Sequence, residues 1–396
     1  MITTINNKHK KLNVPNLRFP EFQGEWEKKS LGEIGDSFIG LTYRPADVVS
    51  EGGLIVFRSS NIQNGCMDYK DIVRVNKNVK EKLITKKDDL LVCARNGSAR
   101  LIGKNAILHE TDANQTFGAF MMVFRSDKNH FVHQLLNTRR YSSQVSENLG
   151  ARINQITSSD LSSFEFFFPK GNNEMNKISA LLDLLDERIA TQNKIIEDLK
   201  KLKSAIIEKL YSEIQGKEYS YRQLFEIINE RNNRLEFSNV LSASQERGMV
   251  SREDLNLDIK FERSNINTYK IVRNGDYVIH LRSFQGGFAF SDIVGVCSPA
   301  YTIMRPKDLL EYGYLSYYFT SRQFIKSLVI VTYGIRDGRS INVDEWFDMK
   351  IVIPTKEQQR HIVRTIKVFE NKIENEEMYA SCLLKQKQHL LRQMFI

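Results

Sequence analysis

"LKKLKSAIIEKLY" fills residues 199–211, and "LLKQKQHLLRQMF" fills residues 383–395. Laid 184 residues apart, they put lysine on lysine twice and apolar on apolar at five places. Each closes a long polar segment that follows a stretch of mixed, strand-like sequence. The architecture turns on why such a helix should occur twice. In the first segment Ile178, Leu182, Leu185, Ile189, Gln192, Ile196, Leu199, Lys203, Ile206 and Leu210 alternate by four and three. Ile362, Ile366, Phe369, Ile373, Glu376, Ala380, Leu383, Lys387, Leu390 and Met394 repeat that frame in the second. A period of 3.5 residues over more than four heptads is the pattern of a coiled-coil seam. Each helix would run about 50 Å at about 1.5 Å per residue. Polar residues fall at the same two seam positions in both copies, Gln192 with Glu376 and Lys203 with Lys387. Such residues reduce stability and can fix register. The plainer reading has the lysines snorkelling at the edge of a loose seam while Leu202 or Leu384 packs.

Walking backwards from the helices, the rest of the chain also repeats. "FEFFFPKGNNEMNKISALLDLLDERI" matches "MKIVIPTKEQQRHIVRTIKVFENKI", a strand ending at Pro169 or Pro354 and then a polar helix start. Proline stops the strand because it cannot donate a ladder hydrogen bond. "LGARINQITSSDL" and "YGIRDGRSINVDE" precede them. "DLLVCARNGSARLIGKNAIL" parallels "DYVIHLRSFQGGFAFSDIVGV", each a short apolar strand, an arginine (Arg95, Arg282), a glycine-containing loop and another strand. The expected fold class is mixed α/β (α+β): two similar domains separated by two long antiparallel helices, related by a pseudo-two-fold internal repeat. The boundaries are a disordered tail over 1–14, a first domain over 15–170 and a first long helix over 171–216. A second domain follows over 217–355, and a second long helix over 356–396. Because a domain lies between the helices, an antiparallel pair is the economical way for the two seams to meet.

The bulk numbers suit two domains. Hydrophobic residues make up 41% and charged residues 27% of 396, a normal globular composition. Four scattered cysteines, Cys66, Cys93, Cys297 and Cys382, form neither a CxxC pair nor a Cys/His cluster. That pattern leads us to expect reduced thiols in a cytoplasmic protein. No run approaches the eighteen or so apolar residues of a membrane span, and the polar start "MITTINNKHKKLNVPN" reads as a frayed tail without a signal peptide. The net charge is +9; segments 171–215 and 356–396 carry −1 and +3, leaving +7 for the rest. A polyanion partner accounts for that excess, as does a surplus kept for solubility.

Two similar basic domains suit a bipartite site on duplex DNA, whose equivalent faces recur about once per turn. The loops carry the side chains for it. "FRSSNIQNG" offers Arg58, Ser60, Asn61 and Gln63; "ARNGSARLIGK" offers Arg95, Asn96, Arg100 and Lys104; "GARINQ" offers Arg152, Asn154 and Gln155. In the second domain "SASQERG" offers Gln245 and Arg247, "LRSFQGG" Arg282 and Gln285, and "GIRDGRS" Arg336 and Arg339. Arginine, asparagine and glutamine hydrogen-bond guanine and adenine edges in pairs, while lysine and serine suit phosphates. For any single residue an ordinary solvated turn is the simpler account; recurrence at matching places in both domains raises the group above it. Beside the seam, Leu181, Leu184, Ile207 and Tyr211 widen the apolar face of the first helix, and Val363, Leu391 and Phe395 that of the second. They are expected either to bind a partner subunit or to pack on the adjacent domain.

Catalytic signals are missing: no Gly-x-Gly-x-x-Gly, P-loop or HExxH. No Asn/Asp-Pro-Pro-aromatic string of an amino-methyltransferase forms from the seven prolines. His130 and His133, three apart, are expected to have no nearby carboxylate partner and to have ordinary surface roles. Asp344, Glu345 and Lys350 have the wrong spacing for a nuclease cluster, and Asp344 is expected in a turn before a strand.

The entry "PNLRFPEFQGEWEKKSLGEIG", the strand-proline-"EQQ" helix start and "LLDLLDERI…LKKLKSAIIEKL" resemble the specificity subunits of type I restriction–modification systems. The resemblance covers the chain from about Pro15; the first helix departs from it by starting "NNEMNKI" where the family usually has a glutamine-rich start. It implies a non-catalytic, sequence-specific DNA-binding subunit that reads a split target, one half-site per domain, with the helices as spacer. It further implies two methyltransferase subunits, which bind S-adenosylmethionine, and two restriction subunits, which use ATP and Mg, with no cofactor in this chain. A fused restriction–methylation enzyme and an architectural coiled-coil protein that binds DNA without sequence preference are the alternatives.

Overall fold

The structure, a computed structural model, describes residues 13–396 apart from 152–153, 245–246, 256–262, 281–286 and 334–339. The chain divides into two compact units, Met1–Lys194 with Met378–Ile396, and Ile195–Glu377.

In the first unit a four-stranded sheet has the order Asp36–Ile39, Met121–Arg125, Leu90–Cys93, Asn105–Ile107, with every neighbouring pair antiparallel. The central strands read apolar throughout because both faces are covered. Successive side chains of a strand point to opposite faces. Leu90, Val92, Met122 and Phe124 therefore join one core, and Leu91, Cys93, Met121 and Val123 another. The second unit repeats the order with Phe225–Ile228, Thr302–Pro306, Tyr277–Ile279 and Phe288–Phe290. The same alternation sends Tyr277, Ile279 and Met304 to one core and Val278 and Ile303 to the other. Each unit also has a two-stranded antiparallel pair leading into a long helix, Glu27–Ser30 with Glu165–Phe168 and Lys217–Ser220 with Lys350–Ile353. A further sheet in the first unit, Thr116–Phe117, Leu54–Phe57, Arg74–Val75 and Val48–Val49, carries the loop that begins at Arg58.

The long helices span Asn172–Ser212 and Lys356–Met394, 41 and 39 residues. All positions of the 3.5-residue frame named above are buried or half-buried. The plainer alternative for the seam lysines does not hold, since Leu202 and Leu384 are exposed. Instead each lysine meets a carboxylate of the other helix: Lys387 lies 2.5 Å from Asp186 in the first unit, and Lys203 lies 3.4 Å from Glu370 in the second. Within the first unit Ile178 and Leu182 share a core with Leu391, Met394 and Phe395; within the second, Ile207 and Tyr211 share one with Ile362 and Ile366.

The departure at the first helix start has a structural counterpart. The second helix is capped by Thr355, whose Oγ1 accepts from the Gln358 N–H while the Gln358 side-chain Oε1 accepts from the Thr355 N–H, a capping box. The next residue, Gln359, is buried and donates to the Leu309 and Pro354 carbonyls. Five residues after Pro169, as Gln359 is five after Pro354, stands buried Glu174, which accepts two hydrogen bonds from Arg18, at 2.7 and 2.8 Å, and one from the Trp26 indole. The "LRFPEF" entry thus supplies the positive charge that this buried carboxylate needs. Among the described residues no helix is long and apolar enough to cross a membrane.

Candidate nucleic-acid interface

The three loops of the first domain that carry the expected contact residues are joined by hydrogen bonds into one surface. The Asn96 amide donates to Ser59 Oγ at 3.0 Å, which ties the 94–104 loop to the 57–65 loop. Arg95 forms an isolated antiparallel bridge with Gln155, and the Ile156 N–H donates to the Ala94 carbonyl. The Asn154 amide reaches the Gly97 carbonyl at 3.3 Å. Asn154 has φ 49°, a left-handed conformation that asparagine tolerates better than most side chains. Asn64 and Gly65, at φ 52° and 77°, make the hairpin turn between Ile62–Gln63 and Cys66–Met67. Two successive positive φ values are what an Asn-Gly turn of this kind requires.

Placement separates the candidates. Arg95, Arg100 and Gln63 are exposed; Arg58, Ser60, Asn96, Lys104, Asn154 and Gln155 are half-buried. Arg58 pairs with Asp71 at 2.6 Å. The Lys104 amine donates to the Ile62 carbonyl at 2.7 Å, and burial lowers its pKa. Asn61 is fully buried, and its amide donates to the Asp68 and Asp71 carbonyls while its oxygen accepts from the Arg58 N–H. It holds the loop from inside, so the sequence expectation of a base contact there is corrected. In the second domain Arg247 is exposed at the hairpin Leu241–Ser244/Gly248–Ser251, where its N–H donates to Ser244 Oγ. Arg152, Gln245, Arg282, Gln285, Arg336 and Arg339 lie outside the described residues.

Sequence reasoning passed over Phe120. It is 57% exposed, and the Arg95 guanidinium sits 5.3 Å from its ring centroid. A lone phenylalanine before a methionine-rich strand gives no pattern by which to find it.

The expected partner surface narrows. Leu181 and Leu184 are exposed, at 38% and 65%. Ile207, Tyr211, Leu391 and Phe395 are buried, and Val363 is partly buried against the second unit's core. Tyr211 packs on Tyr314 and Tyr318, and Phe395 on Trp26 and Phe131. These five residues serve their own domains' cores, the second of the two roles expected for them.

Two readings of titratable groups also change. His130 does have carboxylate partners, Asp183 at 2.6 Å and Asp88 at 3.4 Å, and the Asp183 hydrogen bond raises its pKa. His133 is not at the surface: it is buried, with Nδ1 2.9 Å from the Asn105 side-chain oxygen, and burial lowers its pKa to about 4. Asp344 lies in the first turn of a short helix, Val343–Asp348, capped by Asn342. Lys350 pairs with Glu218. No group of side chains suited to holding a metal ion occurs among the described residues.

A family model described as "Type I restriction modification DNA specificity domain" matches residues 23–201. Over 370 residues the chain is 23% identical to the type I restriction enzyme EcoKI specificity subunit of Escherichia coli (strain K12), covering 83% of this chain and 78% of that one. It is 27% identical over 195 residues to the StySPI specificity subunit of Salmonella potsdam, covering 46% and 42% respectively. Among solved structures, the type I restriction–modification S subunit from M. genitalium superposes with a TM-score of 0.56 at 15% identity, covering 97% of this chain and 99% of that one. A chain from a study of type I R-M complex assembly and conformational transition gives 0.54 at 14% identity, covering 92% and 96%. The repeat, the helices and the fold agree with these matches: residues 23–201 match the specificity-domain model, and the chain is similar along most of its length to a type I restriction enzyme specificity subunit.

Proposed function

We propose that this chain reads a DNA target split into two half-sites, one for each recognition domain (15–170 and 217–355), as the specificity subunit of a restriction–modification complex. The observation that carries the reading is the joining of three polar loops into one surface around Arg95, Asn96 and Arg100. Paired hydrogen bonds to base edges need side chains held in fixed positions, and the Asn96–Ser59 and Asn154–Gly97 bonds supply that rigidity. The exposed Arg95, Arg100 and Arg247 are then base or phosphate contacts.

The helices act as an antiparallel coiled-coil spacer. In one unit the start of the first helix packs with the end of the second, and in the other the end of the first packs with the start of the second. The ion pairs Lys387–Asp186 and Lys203–Glu370 are symmetry-like equivalents that favour this register. Leu181 and Leu184 form the methyltransferase-docking surface. Two methyltransferase and two restriction subunits complete the assembly; S-adenosylmethionine, ATP and Mg belong to those partners, and this chain is non-catalytic.

The test is Arg95→Ala in the chain co-purified with its methyltransferase, with bound sequences selected from a randomised duplex pool at fixed, moderate salt. Loss of a paired base contact should cost about 1–3 kcal/mol and relax one half-site only. Equal relaxation of both halves would contradict the assignment of one domain to each half.

A further inference from the structure

Phe120 lies beside Arg95 on the surface just described, and its exposure is imposed by the backbone. The turn Gly118–Met121 is closed by the Met121 N–H donating to the Gly118 carbonyl at 2.8 Å. The N–H groups of Ala94 and Arg95 both donate to the Phe120 carbonyl, at 2.9 and 3.0 Å. On the other side the Leu41 N–H donates to the Phe117 carbonyl, and the Gly40 N–H to that of Met121. Gly40 approaches so closely that a Cβ there would lie 2.3 Å from the Gly118 oxygen. Phe117 and Met121, on either side of the turn, are fully buried. The turn therefore has no freedom to fold the Phe120 ring inward, and a large apolar side chain is held against solvent beside a candidate base-reading arginine.

We propose that Phe120 is a specificity-determining residue of the first domain, its ring meeting the 5-methyl group of a thymine next to the base edge that Arg95 reads. The inference rests on the DNA-reading role proposed for this face. In the major groove thymine alone presents a methyl group, and apolar side chains such as phenylalanine recognise it. The Arg95 guanidinium over the ring holds the two side chains together, so that one presents donors and the other an apolar surface.

The experiment selects bound sequences from a randomised duplex pool with the chain co-purified with its methyltransferase, as wild type, Phe120→Ala, Phe120→Leu and Arg95→Ala. Wild type should enrich thymine at a position next to the one that Arg95→Ala relaxes. Phe120→Ala should lower that thymine preference about fourfold, the worth of one buried methyl group, and Phe120→Leu should restore most of it. In a duplex taken from the wild-type selection, replacing that thymine with deoxyuridine should weaken wild type by the same factor and leave Phe120→Ala unaffected. An unchanged base profile in Phe120→Ala, a uniform loss of affinity for all sequences, or loss of the methyltransferase with the profile intact would each overturn the inference. If Arg95→Ala relaxes a half-site in those cases, the DNA-reading role stands without Phe120. If wild type enriches no sequence, both readings fail.

Discussion

Asp89 and Asp276, with side chains only 2% and 1% exposed, open the two matching strands "DLLVC" and "DYVI". Asp89 accepts from the Lys86 N–H and pairs with both Arg125 nitrogens at 2.6 and 2.7 Å; Asp276 accepts from the Arg273 N–H and pairs with Arg305 at 2.9 and 3.0 Å. A buried carboxylate deprived of its arginine is left uncompensated, which costs about 3–5 kcal/mol. Arg125→Ala and Arg305→Ala should each lower the denaturation midpoint accordingly, while a surface pair such as Lys350–Glu218 should cost about 0–1 kcal/mol when broken. The two histidines pull in opposite directions with pH. His133 is depressed by burial and by Lys387, with Asp186 and Asp183 opposing. From about pH 6.5 down to about 4 the unfolded chain therefore binds the proton that the folded one refuses, and stability falls on acidification. His130 is raised by Asp183, so its contribution is fully present below the unfolded pKa of about 6.5 and is lost as pH rises through its folded value. In unfolding titrations His133→Gln should flatten the acid limb, and His130→Gln should cost more stability at pH 5.5 than at pH 8. A steeper acid limb in His133→Gln would contradict the buried, neutral assignment. Neither partner of these histidines could be read from spacing, because Asp183 lies 53 residues from His130 and Asn105 lies 28 from His133.

At the level of the elements, each domain touches the long helix that follows it through a polar group already engaged with a seam lysine. Gln134 donates to Asp186, the partner of Lys387, and the Tyr317 hydroxyl donates to Glu370, the partner of Lys203. The lysine positions were legible because they recur at one seam register; their carboxylates were not, since Asp186 and Glu370 lie off the frame. The same distinction governs the apolar fringe. Periodicity marks Leu184, Tyr211, Leu391 and Phe395 alike as flanking the seam, and only tertiary packing shows that the last three are filled in by their own domains. The partner prediction accordingly belongs to Leu184. Leu184→Glu should abolish co-purification of the methyltransferase with helical circular dichroism unchanged, and retention of the complex would contradict docking there. Leu391→Glu, by contrast, should destabilise the chain itself, by about 2–5 kcal/mol for a lost buried side chain.

For the whole molecule, the repeat was readable because strand, proline and heptad patterns survive where few residues are identical, and the structure gives the two sheets the same strand order. The candidate base-reading surface was readable only in part. Arginine-rich glycine loops announce themselves, but Asn61 turned out to be an internal brace and Phe120 gave no signal. The central claim is that the domains choose the bases and the helices choose the gap. Adding one heptad to each helix, between Gln192 and Lys203 and between Glu376 and Lys387, keeps both seams in phase. It lengthens the spacer by about 10 Å, or about three base pairs at about 3.4 Å each. Those base pairs also turn the second half-site by about 100°, given about 10.5 per turn, so binding should weaken. The decisive measurement is a map of methylated positions made by the wild-type and lengthened proteins, each co-expressed with the methyltransferase. Surviving targets should keep the bases of both half-sites and show a longer gap; an unchanged gap with altered half-site bases would contradict the account.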